Sequence, residues 1–294
     1  MIMVKKFRKI WPLLPAAIYL LVFLIIVITY LLIMSFSGSD GSFPSLEPIQ
    51  TVIRMPKFRD ALLNTFLFVL FGTPVELLAG LLLALLIYQS FRWRNIVRSI
   101  FIIPVAIPGL VTATLLFILF DTHGGFINHL LMGKYSFFPG IISSSIDWRG
   151  TKFFSLGLSL MGKVWRDMPI SMLILLAGLN SIDPQLFDAA KTMGAGIRQR
   201  IRHIIIPLII PSISAVVLLR SIEMWKEFIF PYILAGRYNL LGTLIESLYI
   251  NWSGKYENGA ALVALILLIC IIVSALIFIW LIDLLRRLLS DIER

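Results

Sequence analysis

The chain has 294 residues, of which 59% are hydrophobic and 14% charged, and its mean hydropathy is +0.94. Soluble domains carry about 25% charged residues, so this composition cannot cover a water-facing globule and excludes a soluble protein. The net charge of +10 rests on basic residues dispersed between long apolar runs, which fits membrane orientation better than nucleic-acid binding.

A membrane-crossing helix needs about 20 mostly apolar residues. Residues 10–39, 99–120 and 258–282 contain no charged side chain, and 61–91 contain only Glu76. Two more apolar segments carry charge clusters. The pattern predicts an all-α polytopic protein, one transmembrane domain over 1–294, with spans at about 11–36, 61–88, 99–120, 154–180, 205–235 and 258–285.

The basic start Lys5-Lys6-Phe7-Arg8-Lys9 suits a signal peptide. However, the uncharged run that follows exceeds the roughly 7–15 residues of such a segment, and no Ala-x-Ala site follows, so a retained helix is expected. Pro104 and Pro108 in the third span either kink a cavity-lining helix or mark a helix that begins after Pro108. Cys270 is the lone cysteine and forms no intrachain disulfide.

With the N-terminus inside, the short inner segments 1–9, 89–99, 181–203 and 286–294 hold 14 Lys and Arg, against 8 in the outer loops 37–60, 121–152 and 237–258. This bias places both termini in the cytoplasm. It also puts the 181–203 loop on the ATP side.

Ionisable groups near mid-bilayer cost about 2.5–3.5 kcal/mol each on insertion scales. Two clusters stand out: Lys163, Arg166 and Asp167 in the fourth span, and Arg220, Glu223, Lys226 and Glu227 in the fifth. At about 1.5 Å per residue, both fall in the outer half, at depths that would allow them to face one water-filled cavity. Trp165 and Trp225 lie beside them, so the candidate solute pathway is Trp165, Arg166, Asp167, Trp225, Lys226 and Glu227. Three simpler readings stay open: neutralisation within each helix at i,i+3 and i,i+4 spacing, snorkelling to the interface, and interfacial tryptophans. Glu76 either packs against a basic side chain of another helix or lines the pathway. The histidines His123, His129 and His203 have no ligand spacing, so no metal site is read, and no nucleophile–base pair appears.

The 181–203 loop has a definite local grammar. Asp183 is a helix N-cap with Pro184 at the first helical position, and a helix is expected over 184–193. Gly194 is its left-handed stop. A second basic stretch with Arg198, Arg200, Arg202 and His203 ends at Pro207. Small residues at 189, 190, 194, 195 and 196 allow close approach of a partner protein; the alternative is a plain connection whose basic residues touch anionic lipid.

Asp188-Ala189-Ala190, then Gly194-Ala195, then Ile204-Ile205-Ile206-Pro207 resembles the "EAA" loop of binding-protein-dependent ABC importers. The lead-in Ala177–Pro184 is similar to that of the MalF-type, sugar-importing branch, as are Pro104 with Pro108, Gly124-Gly125 with Asn128, Trp165 with Pro169, and Phe228 with Leu234. Asp188 replaces the usual Glu, and Ile206 the usual Leu. Leu234-Ala235-Gly236-Arg237-Tyr238 stands where the branch carries Thr-Gly-Gly-Gly-Pro, and Lys226 where it carries Asn.

The resemblance covers about residues 60–285 and implies a non-catalytic permease subunit of the prokaryotic inner membrane, forming half of a sugar or oligosaccharide pathway. It implies ATPase coupling through Asp188, Ala189, Ala190, Gly194, Ala195 and Pro207. It also implies an ATP-binding subunit homodimer, a second homologous permease chain and an extracytoplasmic solute-binding protein, with no cofactor on this chain and ATP and Mg on the ATPase. The chain itself has no GxxxxGK[ST] phosphate loop. The alternatives are a permease for glycerol phosphate, a polyamine or another small solute, an ion-coupled secondary transporter using Glu76 or Asp167, and a membrane enzyme. The docking loop argues against the last two.

Overall fold

The computed structural model describes residues 14–89, 91–135, 137–236, 238–250 and 256–292. The basic start of the chain, Arg237 and Arg294 lie outside the described residues. The described elements are helical: α1 Leu14–Ser35, α2 Glu47–Arg54, α3 Pro56–Tyr88, α4 Arg94–Ala106, α5 Gly109–Leu119, α6 Phe126–Leu131, α7 Lys152–Asn180, α8 Pro184–Thr192, α9 Ile197–Arg200, α10 Ile210–Trp225, α11 Ile229–Leu234, α12 Leu241–Ile250 and α13 Glu257–Ile292. A π-helical turn at Ile201–Ile205 and one α-turn at Ile206–Leu208 lead from α9 into α10.

Three stretches, Leu14–Ser35, Pro56–Tyr88 and Glu257–Leu284, are long and apolar enough to cross a bilayer alone. Three bent pairs bring the count to six if each is one crossing: α4 with α5 at 93°, α7 with α8 at 70°, and Ile197–Leu208 with α10 at 69°. The first bend answers the question posed by the two prolines. The chain leaves helical geometry at Ile107, and α5 restarts after Pro108, because Pro108 has no N–H to continue the ladder. The stretch 205–235 is likewise not one helix. It bends at Ile209 and unwinds again over Lys226–Phe228 before α11.

Contacts divide the chain into two compact units. The first combines residues up to 59 with 244–268. In it, Glu47 in the first turn of α2 accepts from Ser39 N at 2.9 Å and Ser39 Oγ at 2.7 Å, and Asn258 Nδ2 donates to the Gly38 carbonyl at 3.2 Å. Most of the large apolar side chains of α1 are exposed, as expected of a helix whose solvent is lipid.

The second unit combines residues 60–243 with 269–294, and α7 is its centre. Thr151 caps α7 by accepting from Phe154 N at 3.3 Å. Its buried stripe includes Ser155, Ser159, Gly162, Lys163, Asp167, Ser171 and Leu175, recurring at helical spacing. Helices α4, α5, α10 and α11 all pack on α7. Small residues let them come close, as is usual where lipid removes the hydrophobic drive for helix association. A Cβ built on Gly80 would stand 2.7 Å from Ser171 Cβ and 3.1 Å from the Met172 backbone N. Below this crossing, Ala84, Ile87, Met172, Leu175, Leu176, Leu179, Ile205 and Ile209 form one apolar cluster.

Above it, polar groups hold the same helices together. Glu76 of α3 is fully buried and Arg220 of α10 is 1% exposed. Arg220 Nε lies 3.1 Å from Glu76 Oε1 as an ion pair without hydrogen-bond alignment, and Ser171 Oγ of α7 donates to the same carboxylate oxygen at 3.1 Å. Of the two readings for Glu76, packing against a basic side chain of another helix is the one observed.

In α6, buried Asn128 acts as a hub for the segment after α5. Its Nδ2 donates to the carbonyls of Asp121, Thr122 and Ile146, and its Oδ1 accepts from Ile146 N and Trp148 Nε1, at 2.9–3.2 Å. Backbone N–H groups of Gly124 and His123 hold the exposed Asp121 carboxyl below the usual carboxylate range.

Two outcomes follow from this packing. Gly80→Val forces a side chain against backbone and is expected to destabilise by about 1–3 kcal/mol, read as a lower melting temperature of the detergent-purified chain. Arg220→Met strands a buried carboxylate, a loss of about 3–5 kcal/mol. Adding Glu76→Gln to Arg220→Met should restore much of the folded yield, measured by size-exclusion profile; no recovery would contradict the pairing.

Candidate functional site

Two places concentrate the candidate functional residues, one at the unwound stretch after α10 and one at the α8–α9 elbow. The first is a cavity of about 350 Å³ lined by Lys163, Arg166, Asp167, Ile170, Glu223, Lys226 and Glu227. The two charge clusters, far apart in sequence, thus meet at one opening. Lys163 is its electrostatic centre, with its side chain 6% exposed. It pairs with Asp167 one turn on, with Glu227 at 3.3 Å, and with Glu223 at 4.0 Å. Arg166 Nη1 meets the other Asp167 oxygen at 2.7 Å, and Arg220 Nη1 reaches Glu223 at 2.6 Å. Cross-helix pairing, not only the i,i+4 neutralisation considered from the sequence, accounts for these charges.

The same side chains repair the broken backbone. Arg166 Nε donates to the carbonyl of Ile107, at the α4–α5 break, at 3.2 Å. Glu227 Oε1 accepts from Phe230 N at the start of α11, at 3.2 Å. Irregular backbone at membrane depth is tolerated only where protein or a water-filled cavity satisfies it. Here both exposed ends are closed by residues that also border the cavity.

Trp165 and Trp225 are not brought into this lining. Trp165 is 44% exposed, whereas Trp225 is 5% exposed with its Nε1 unbonded among the described residues. Ser171 and the 226–228 break were not singled out from the sequence. Pro231, three residues past the break, is the signal that pointed there.

At the elbow, Asp183 caps α8 by accepting from Gln185 N at 2.9 Å, with Pro184 next. Gly194 has φ +79°, as the sequence predicts. The turn is a Schellman motif: Ala195 N donates to Ala190 O and Gly194 N to Lys191 O, each at 2.9 Å. Gln199 Oε1 accepts from Gly196 N at 2.9 Å to start α9.

Asp188, Ala189 and Gly194 are exposed, Ala195 and Pro207 are half-buried, and Ala190 is buried, so the smallness of Ala190 serves the chain's own packing. Met193 and Ile197 flank the elbow at 87% and 70% exposed. A cleft of about 600 Å³ opens beside it, bordered by Tyr88, Arg94, Phe187, Asp188, Lys191 and Arg200. Apolar tips thus stand on a capped helix beside a charged cleft, and among the described residues no nucleophile–base pair accompanies them.

Comparisons with known proteins agree with this architecture. The xylose/arabinose import permease protein XacH of Haloferax volcanii is 29% identical over 79% of this chain and 73% of its own length. The sulfoquinovosyl glycerol transport system permease protein SmoG of Agrobacterium fabrum is 30% identical over 87% of this chain and 85% of its own. A crystal structure of a bacterial ABC transporter involved in import of the acidic polysaccharide alginate shares the fold, with a TM-score of 0.76 over 98% of this chain and 99% of that one, at 22% identity. Residues 76–291 match the family described as binding-protein-dependent transport system inner membrane component, and the chain belongs to that family.

Proposed function

We propose that this chain is the membrane-spanning permease subunit of an ATP-driven importer and forms half of a pathway for a sugar or oligosaccharide. Membership of the transport family carries the class, and the xylose/arabinose, trehalose/maltose and sulfoquinovosyl glycerol permeases among its relatives support a sugar cargo. Chemistry on this chain is not required. Energy would enter through an ATP-binding subunit pair on the cytoplasmic side. A second permease chain would complete the pathway, and a solute-binding protein would deliver cargo outside. Both termini would lie in the cytoplasm, following the basic-residue bias.

The α8–α9 elbow is the proposed coupling surface, with Asp188, Ala189, Gly194 and Ala195 at or near the contact, Ala190 supporting it from within, and Pro207 setting the entry to α10. A rigid capped helix transmits a push without bending, which a flexible loop cannot. The cavity around Lys163 is the proposed solute-facing site, because paired charges and broken helices converge there. Irregular helices at such a depth commonly mark the substrate site of transporters.

The tagged chain, purified from its native membrane in mild detergent, should bring down an ATP-binding subunit and a second permease. A chain recovered alone, or only with another copy of itself, would overturn the importer reading in favour of an ion-coupled carrier. The elbow gives a sharper expectation. Chain neighbours aside, no atom of the described residues lies within 4 Å of a Cβ built on Gly194, so the obstacle to a side chain there is its positive φ. Gly194→Val should therefore insert normally yet lose most of the co-purifying ATPase, at a conformational cost of about 1–3 kcal/mol. Gly194→Asn should retain it, since Asn tolerates the left-handed region.

A further inference from the structure

The eight charged groups that converge here, Glu76, Lys163, Arg166, Asp167, Arg220, Glu223, Lys226 and Glu227, sum to zero, but they are not equally available. The carboxylates are largely spoken for. Asp167 has one oxygen on Lys163 and the other on Arg166; Glu227 has one on Phe230 N and the other on Lys163. Glu223 is held by Arg220 at 2.6 Å. The cations at the opening are not. Lys226 is exposed, and among the described residues its ammonium has no ion-pair or hydrogen-bond partner. The Arg166 side chain is 28% exposed. Its Nε is committed to Ile107 O and its Nη1 to Asp167, which leaves the Nη2 donors of this lining residue uncommitted among the described residues. At the cavity lining, spare hydrogen-bonding capacity is thus mostly cationic donor, set against the second oxygen of Glu223; the unbonded Oε2 of Glu76 is fully buried and does not border the cavity.

We infer that the cavity bordered by Arg166 and Lys226 selects a sugar bearing an anionic group, a carboxylate, sulfonate or phosphate, over its neutral counterpart. The inference rests on the solute-site reading above and deepens it by naming the cargo's charge. A neutral sugar would offer the exposed Lys226 ammonium only hydroxyl dipoles in exchange for the water it displaces. An anionic group would receive charge-assisted hydrogen bonds, roughly twice as strong as neutral ones, from Lys226 and from the remaining Arg166 Nη2 donors. The cavity, at about 350 Å³, lies within the range of small-molecule sites, about 300–1,000 Å³. The surrounding pairs Lys163–Asp167 and Arg220–Glu76 hold the remaining charge fixed, so the two cations at the opening are the ones left to respond to cargo.

The test is ATP-dependent uptake into proteoliposomes carrying the assembled importer with its own solute-binding protein. The probes are a uronic-acid disaccharide, a sugar phosphate and a sugar sulfonate, each beside its neutral parent sugar. At least one anionic probe should enter at least 10-fold faster than its parent, and Lys226→Gln should reduce that ratio at least 10-fold while Lys226→Arg preserves it. Because Lys226 is exposed and unpaired, neither change disturbs packing. Uptake of neutral sugars with no anionic preference, or a ratio unmoved by Lys226→Gln, overturns the charge inference and leaves the sugar-permease reading standing. ATP-dependent uptake of none of the sugars overturns the sugar cargo itself, and the inference with it.

Discussion

The structure depends on the requirement that every charge buried at membrane depth find its opposite, either one turn along its own helix or on a neighbouring one. An unpaired ion there is costly enough to be rare, and removing one partner of a buried pair is far worse than never having had the pair. Glu76 on α3 therefore fixes where Arg220 of α10 must lie, and Ser171 of α7 is drawn to the same carboxylate. Lys163 does the same between α7 and the unwound stretch that carries Glu227. These contacts add little net stability over an apolar core, but they permit few alternative arrangements of the helices they join.

The same charges make the broken helices tolerable. A helix that stops inside a bilayer exposes carbonyls at one end and N–H groups at the other, and lipid can satisfy neither. Arg166 closes the carbonyl end at Ile107, and Glu227 closes an N–H at Phe230. Breaks, charges and cavity are one construction: the unwound backbone makes room, and the ions that compensate it supply the polar lining. A solute site placed there needs few further polar groups.

The cytoplasmic elbow is built by different means. Its stability is local, from the Asp183 cap, Pro184, and the two carbonyls satisfied through Gly194 and Ala195. Its hydrogen bonds are all local, with Phe187 seating the helix on Tyr88, a construction that suits the coupling surface proposed above. Exposed Met193 and Ile197 at its tip are unfavourable in water alone and favour a covered surface.

How much the sequence alone determined follows from this contrast. Lipid as solvent, the helical class, the start of α8 at Pro184 and the positive φ of Gly194 were all legible, because each rests on composition or on bonds between residues fewer than seven apart. Glu76 was legible as an anomaly without its partner being nameable, since Arg220 lies 144 positions away. Only the tertiary structure decided that the two charge clusters share one opening, that Trp225 is buried while Trp165 faces outward, and that 205–235 breaks at 226–228. The physical reason is that charge pairing and backbone repair are satisfied between helices. The sequence states which groups need a partner, and only the packed bundle decides which one each receives.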